Sequence, residues 1–410
     1  MGEVTPRTFW IINQYASTPD SGMGGRHYYL AKELAKQGHK VYLIAASYTH
    51  LLRHPPEVKQ TFQVEAIEGF SFVWVKVPEY RVAHDKRRVW NWFYFAWMLL
   101  KLPKVISVRP DAILYSSPSL VPFIGARRLA KKLKARLVFE VRDIWPLTLV
   151  EVGGYSAKHP FVRLMQWLED RAYCDADAVL SNLPNAVEHM VERGMRREKF
   201  TWIPNGLDMD EVLLSEPLTK NSLAELPKDK FIVGYTGTIG VANALDSFIV
   251  AASLAKGDDN LAWVLVGDGK EKINLQLKCE RLGLSNVYFV NSIPKIQIQA
   301  MLSRFDACYI GWKDEQLYRF GIAPNKIPEY LLSGKPVIHA FSGYGDSVKV
   351  ANAGLSVKAE DSQAIADAAL KLKEMTPTQR DQLGQNGREF VMKNHDYSQL
   401  AVKLSKVLIA

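Results

Sequence analysis

Short runs of β-branched and aromatic residues alternate with helix-patterned stretches along nearly the whole chain. This alternation limits the possible folds more than any other feature of the sequence. The runs fall at about Thr8–Ile12, Lys40–Ala45, Ala112–Ser116, Arg136–Val141, Ala178–Ser181 and Thr201–Ile203, and then at about Phe231–Thr236, Leu261–Val266, Val287–Val290, Ala307–Ile310 and Pro336–His339. Helical patterns intervene, for example at about Arg26–Gln37, Leu245–Leu254 and Gln363–Met375. Such strand–helix–strand units build parallel sheets, because a parallel connection needs a crossover long enough to hold a helix. Two successive sets predict two Rossmann-like α/β domains, and 410 residues suffice for two cores. The boundary is expected after Pro204-Asn205-Gly206. The polar stretch to Asp229, with Pro217 and Pro227, reads as a linker. A last helix, about Ser398–Leu408, follows completion of the second sheet.

Charge is placed unevenly. The first 200 residues hold 29 Lys+Arg against 19 Asp+Glu, and the remainder 23 against 24, so the whole net charge of +9 originates in the N-terminal half. Nucleic acid and an anionic membrane surface both attract such a surface. The stretch Asp85–Lys104, DKRRVWNWFYFAWMLLKLPK, favours the membrane, because it sets Trp90, Trp92, Phe93, Tyr94, Phe95 and Trp97 behind Lys86, Arg87 and Arg88. Its apolar run is shorter than the roughly 20 residues of a membrane span. An interfacial helix and a buried core helix both fit it. The basic run from Arg127 and Arg128 through Lys131, Lys132, Lys134 and Arg136 fits a solvated helix face. The first residues lack a basic start followed by an apolar stretch, so no secretory signal is expected. Cys174, Cys279 and Cys308 lie far apart without metal-ligand spacing and read as buried apolar fillers.

Several loops sit where such domains bind ligands, at the carboxyl ends of strands. Gly22–Val41 brings Gly24 and Gly25 to a strand-to-helix turn, with Arg26 and His27 in the first helical turn. Cations are unfavourable at that end of a helix, and the misfit calls for an anion. A tight turn before a helix accounts for the glycines equally well. Gly234–Gly240, GYTGTIG, repeats the arrangement in the second half, where its glycines, Gly237 among them, with Thr236 and Thr238 present N–H and hydroxyl donors to a diphosphate. A further strand ends in Gly267-Asp268-Gly269. In Arg319–Ala340, Lys326 and Glu329 are three residues apart on one helix face. A lysine there suits a diphosphate and a carboxylate suits ribose hydroxyls; a plain surface pair fits the same spacing.

Taken together and in order, these landmarks resemble family 4 glycosyltransferases of the GT-B fold. They comprise the GGRH loop before a helix ending in GHKV, Ile203-Pro204-Asn205-Gly206-Leu207-Asp208 at the junction, GDG, Pro324-Asn325-Lys326 with Glu329-Tyr330-Leu331, and Gly334-Lys335-Pro336-Val337. EVRDIWP (Glu140–Pro146) is similar to the N-acetyl-fucosamine transferases of bacterial surface polysaccharide synthesis. The resemblance runs end to end.

It implies two Rossmann-like domains facing a central cleft, with the last helix crossing back to the first domain. Residues 1–205 with about 390–410 would form the acceptor side, and 206–389 the nucleotide-sugar side. The implied catalytic residues are Arg142, Asp143 and Lys326. The implied donor contacts are Gly237, Thr238, Gly267, Asp268, Gly269, Ile293, Arg319, Asn325, Lys326 and Glu329. Gly24, Gly25, Arg26 and His27 face the acceptor. Two departures stand out. The first acid of the family's paired motif is replaced by Gly321. The second-domain phosphate loop, GTIGVAN, has Thr238, Ala242 and Asn243 in place of the usual Arg and Lys. The implied activity is retaining transfer from a nucleotide-diphosphate sugar, UDP-linked, to a lipid-linked polyprenyl diphosphate saccharide. The setting is the cytoplasmic face of the membrane, in surface polysaccharide or O-antigen synthesis. No metal, cofactor or nucleic acid is expected. A nucleotide-sugar 2-epimerase of the same fold and a non-catalytic nucleotide-sugar binder are the rival readings.

Overall fold

The computed structural model describes residues 5–22, 24–80, 85 and 87–410. Met23 and Lys86, both within stretches singled out above, lie outside the described residues. The chain forms two compact units, residues 1–205 with 397–410, and residues 206–396.

The first unit holds an eight-stranded sheet in the order β3-β4-β2-β1-β5-β6-β7-β8. Its strands are β1 Thr8–Ile12, β2 Lys40–Ala46, β3 Phe62–Ile67, β4 Phe70–Val75, β5 Ala112–Ser116, β6 Arg136–Val141, β7 Ala178–Ser181 and β8 Phe200–Trp202. All pairs are parallel except β3 with β4. That hairpin departs from the all-parallel expectation. β3 alternates half-buried and exposed residues at the sheet edge, so it lacks the continuous apolar run of a buried strand. Glu68 and Gly69 join it to β4, both at positive φ, the pattern of a two-residue hairpin turn.

Helices cover the sheet, among them α1 Arg26–Lys36, α2 Arg87–Leu99 and α3 Pro122–Leu133. The C-terminal helix Tyr397–Ile409 packs on α1, with Tyr397 stacked on Tyr29 and Leu400, Ala401, Leu404 and Leu408 inside this unit's core. The return starts at Tyr397 rather than at about 390, because the preceding helix Pro377–Asn394 remains with the second unit.

α2 has a buried face and an exposed aromatic face. Trp92, Phe95, Met98 and Leu99 are buried, while Trp90 is 75%, Phe93 46% and Trp97 53% exposed. It lies close against α3: a Cβ at Gly125 would stand 2.4 Å from the carbonyl oxygen of Ala96, so only glycine permits the approach. On α3 and after it, Arg128, Lys131, Lys132 and Lys134 are exposed, whereas Arg127 pairs with Asp175 and Arg136 donates to the Val407 carbonyl. Cys174 is exposed, contrary to the expectation for it, and Cys279 and Cys308 are buried.

The second unit holds a six-stranded parallel sheet in the order β11-β10-β9-β12-β13-β14. Its strands are β9 Phe231–Thr236, β10 Leu261–Val266, β11 Val287–Val290, β12 Ala307–Gly311, β13 Val337–Ala340 and β14 Gly354–Val357. β14 was not expected; it is four residues long and only half buried. The stretch after the junction is not a bare linker. It forms the helices Met209–Leu213 and Lys220–Ala224, and Leu207, Met209, Val212, Leu218 and Leu226 pack against this unit's core. In both sheets the chain reverses its direction of growth beside the first strand of the set. That places the ligand crevice of each unit at the carboxyl ends of β1 and β5, and of β9 and β12.

Candidate functional site

In the first unit the expected acceptor-side residues surround a carboxylate. Glu140, on β6, is fully buried. It accepts from Arg26 Nε at 2.8 Å, from His27 Nε2 at 2.6 Å and from Ser116 Oγ at 2.7 Å. Arg26 also donates to the Pro204 carbonyl. Burial alone would raise the Glu140 carboxyl, yet the charges of Arg26 and His27 and their hydrogen bonds hold it well below the carboxylate range. Burial lowers the His27 imidazole against the opposing pull of Glu140, towards which its Nε2 points. The cations in the first turn of α1 therefore meet an anion of the protein itself. This corrects the expectation that Arg26 and His27 await an anionic ligand. Sequence reasoning gave Glu140 no role. The signal was there: a lone acid in the apolar strand RLVFEV must be paired when buried.

Gly24 and Gly25 lead into α1 at φ +63° and +88°, and a Cβ at Gly25 would meet open space. These glycines supply backbone conformation. Beyond Glu140, the Arg142 N–H donates to Ser117 Oγ at 2.9 Å, and its buried Nε has no hydrogen-bond partner among the described residues. The Asp143 side chain reaches solvent. The protein around it raises its carboxyl by desolvation, and the Arg142 guanidinium opposes that rise.

In the second unit three glycines let two loops touch backbone to backbone. A Cβ at Gly267 would lie 2.0 Å from the Gly237 oxygen, and one at Gly269 would lie 2.2 Å from the Ile239 oxygen. The Ile239 N–H donates to the Asp268 carbonyl. At Gly237, φ +127°, the Lys326 Cε occupies the space where a Cβ would be, 2.4 Å from that point. Gly237, Gly267 and Gly269 are thus required by packing, and that packing seats Lys326 over the β9 loop.

Lys326 Nζ donates to the Tyr235 hydroxyl and, at 3.1 Å, to Asn243 Oδ1, and it lies 4.4 Å from the centre of the Tyr235 ring. Tyr235 in turn donates to the Thr238 carbonyl at 2.6 Å, and Asn243 donates to the same oxygen at 3.0 Å. Both hydrogen-bonding partners of the ammonium are neutral. Burial lowers it to about 8, and Glu329 opposes this through space. Glu329 is half-buried, and burial raises it against the pull of Lys295 and Lys326, with Glu211 adding to the rise. Ile293 is half-buried against the core. Asn325 precedes the helix Lys326–Leu332. Arg319 is exposed, donates to the Gln316 carbonyl and lies over Phe320. Gly237, Thr238 and Lys326 therefore converge with Tyr235 and Asn243, whereas Arg319 sits on its own loop. Tyr235 was the participant that sequence reasoning missed.

Residues 21–211 match the family described as Glycosyltransferase Family 4, and residues 220–390 match Glycosyl transferases group 1. A colanic acid biosynthesis glycosyl transferase of Escherichia coli (strain K12), WcaI, is 25% identical over 277 residues, which span 66% of this chain and 68% of that protein. Among solved structures, sucrose-phosphate synthase from Thermosynechococcus elongatus is similar with a TM-score of 0.70 and 16% identity, covering 98% of both chains. HepE of Anabaena, solved in complex with UDP and glucose, has a TM-score of 0.63 and 17% identity, covering 98% of this chain and 99% of that one. At those identities the likeness is one of fold, the two-domain GT-B architecture with parallel sheets.

Changing Glu140 to Gln should destabilise the first unit by about 3–5 kcal/mol, because it strands a buried guanidinium without its counter-charge. The double change Arg26→Met with Glu140→Leu should recover most of that loss. Urea unfolding followed by tryptophan fluorescence measures both; a loss below about 1 kcal/mol, as for an exposed pair, would contradict the assigned role.

Proposed function

We propose, for a chain built of a glycosyltransferase family 4 N-terminal domain followed by a group 1 glycosyltransferase domain, that it moves a sugar from a UDP-linked donor to a lipid-linked polyprenyl diphosphate saccharide with retention of configuration. The sugar is an N-acetylated deoxyhexosamine, as the EVRDIWP resemblance implies, and the product belongs to surface polysaccharide synthesis. The donor sits on the second unit and the acceptor on the first. The observation that carries this reading is Lys326: a partly buried ammonium over a glycine loop, hydrogen-bonded among the described residues only to neutral oxygens. An ammonium in that setting suits a diphosphate. As the sugar C1–O bond breaks, negative charge grows on the departing diphosphate, and Lys326 stabilises it where water is partly excluded. Glu329 holds the ribose hydroxyls. Asp143 and Arg142 serve the transferred sugar and acceptor. The scheme calls on no metal.

The test is titration of the purified protein with UDP and a panel of UDP-sugars, followed by turnover with a polyprenyl diphosphate saccharide. UDP should bind, and Lys326→Met should lower turnover about 10²–10³-fold. An epimerised sugar nucleotide formed without acceptor would favour the rival enzyme, and binding without turnover would favour the non-catalytic one.

A membrane-bound acceptor requires an interface, and we place it on the outer faces of α2 and α3, at the inner side of the cytoplasmic membrane. The exposed Trp90, Phe93 and Trp97 lie on the helix packed against α3, which exposes Arg128, Lys131 and Lys132. Rings insert at the headgroup level, and each nearby cation adds roughly 1 kcal/mol of attraction to anionic lipid. No described helix is long and apolar enough to cross a membrane. Arg88 is a poor probe of this surface, since it donates to the Tyr15 hydroxyl and lies over Trp92. Changing Trp90, Phe93 and Trp97 together to Ser should abolish cosedimentation with phosphatidylglycerol vesicles while the melting temperature holds. Unchanged cosedimentation would exclude this face.

A further inference from the structure

A second cation stands beside the contact that seats Lys326. β9 and β10 pair in parallel with Thr236 opposite Val266, so Gly237 and Gly267 follow them side by side at the carboxyl edge. Lys326 lies on the first of these glycines, its Nζ 2.9 Å from the point a Cβ of Gly237 would occupy. Lys272, the half-buried first residue of the helix Lys272–Leu282, lies on the second. Its Nζ donates to the Gly267 carbonyl at 3.2 Å and to Asn291 Oδ1 at 3.3 Å. The two ammoniums thus rest on the two members of one glycine pair, at the ends of neighbouring strands, which lie about 4.8 Å apart.

Their partners set these lysines apart from others nearby. Lys278, on the same helix as Lys272, pairs with Asp246 at 2.6 Å, and Lys295 pairs with Glu211 at 3.2 Å. Among the described residues Lys272 and Lys326 donate only to neutral oxygens, a carbonyl and an amide for the one, a phenol and an amide for the other. Carboxylates of the adjoining loops accept from backbone instead: Glu225 from the Asn291 N–H at 3.1 Å, and Asp268 from the Gly269 N–H at 2.8 Å. An ammonium has three N–H donors, and the neutral contacts use two in each lysine. The loop Gly237–Asn243, GTIGVAN, holds no Lys or Arg of its own.

Charge decides what such a pair holds. A ribose or a base is neutral, and hydrogen bonds alone serve it. Two ammoniums without carboxylate partners, on adjacent strand ends, are complemented by a ligand with more than one negative charge. The diphosphate is the multiply charged part of the proposed donor. We propose that Lys272 is the second cation of the diphosphate site, reaching it from the β10 side of the glycine pair as Lys326 reaches it from the β9 side. It supplies from the neighbouring strand end a charge that the loop Gly237–Asn243 does not carry. This rests on the nucleotide-sugar reading above and adds a residue to it.

Calorimetric titration of the full chain with UDP, and displacement of UDP by inorganic pyrophosphate, test the inference in the wild type, Lys272→Met, Lys272→Arg and Asn291→Ala. Pyrophosphate has neither base nor ribose, so a loss shared by both ligands belongs to the diphosphate. Lys272→Met should weaken UDP and pyrophosphate alike by about tenfold, the scale of one hydrogen bond to a charged group, with the melting temperature held. Lys272→Arg keeps the charge and should retain most of both affinities. Asn291→Ala removes the side-chain tie to Lys272 but leaves the ammonium and the backbone contact with Glu225, and should change neither. A loss on UDP alone would assign Lys272 to the nucleoside, and no loss would remove it from the site. An equal loss in Asn291→Ala would make Lys272 a staple of the loop rather than a ligand contact. Each of these overturns the inference and leaves nucleotide binding in place, as would pyrophosphate that fails to displace UDP from the wild type. A wild type that binds no UDP would instead bring down the donor assignment itself, and this inference with it.

Discussion

A charge taken out of water needs an opposite charge or a dense set of hydrogen bonds, and the two sheets meet that demand in opposite ways. At the edge of the first sheet the protein supplies both signs. Glu140 accepts from Arg26, His27 and Ser116, and the cluster joins α1, β5, β6 and the chain after β8. At the edge of the second sheet Lys326 is held by a phenol and an amide, with Glu329 acting only through space. The first arrangement pairs its charges within the protein and reads as architecture, with only the buried Arg26 Nη2 lacking a hydrogen-bond partner among the described residues. The second leaves positive charge over a glycine loop, the charge to which the proposed donor diphosphate is assigned.

That loop lies where it does because of steric exclusion. The contacts of Gly267 with Gly237, of Gly269 with Ile239, and of Lys326 with the α-carbon side of Gly237 leave no room for side chains. Two sequence readings of the glycines, tight turn and ligand approach, thus merge: close packing of two loops creates the surface on which Lys326 rests. The missing Arg and Lys of the phosphate loop fit this picture, since Asn243 faces the ammonium rather than a ligand.

Most of the buried parallel strands were legible because they are continuous apolar runs, as in Phe231–Thr236 and Leu261–Val266, although β4, Phe70–Val75, is such a run and was missed. β3 was not legible, because an edge strand alternates, and its partner β4 is specified by the turn at Glu68 and Gly69. The stretch after residue 206 read as a linker because Leu207, Met209, Val212, Leu218 and Leu226 follow no single period; only tertiary packing collects them. Lys326 and Glu329 were legible from local spacing. The partners Tyr235 and Glu140 were not, since each acts across the fold, at separations of 91 residues for Tyr235–Lys326 and 114 for Arg26–Glu140.

The central claim is that Lys326 carries an unmatched charge which the donor's diphosphate completes. Carbon-13 NMR of the lysine side chains, with Lys326 assigned by its loss in Lys326→Met, measures this directly as a function of pH. In the free protein Lys326 should titrate near about 8 rather than 10.5. Saturating UDP should move it upward, because an adjacent anion favours the ammonium. By linkage, UDP affinity should then be greatest below that pH and fall as pH rises through it, since binding takes up a proton there. A Lys326 that titrates near 10.5 in the free protein and does not move with UDP would contradict the account.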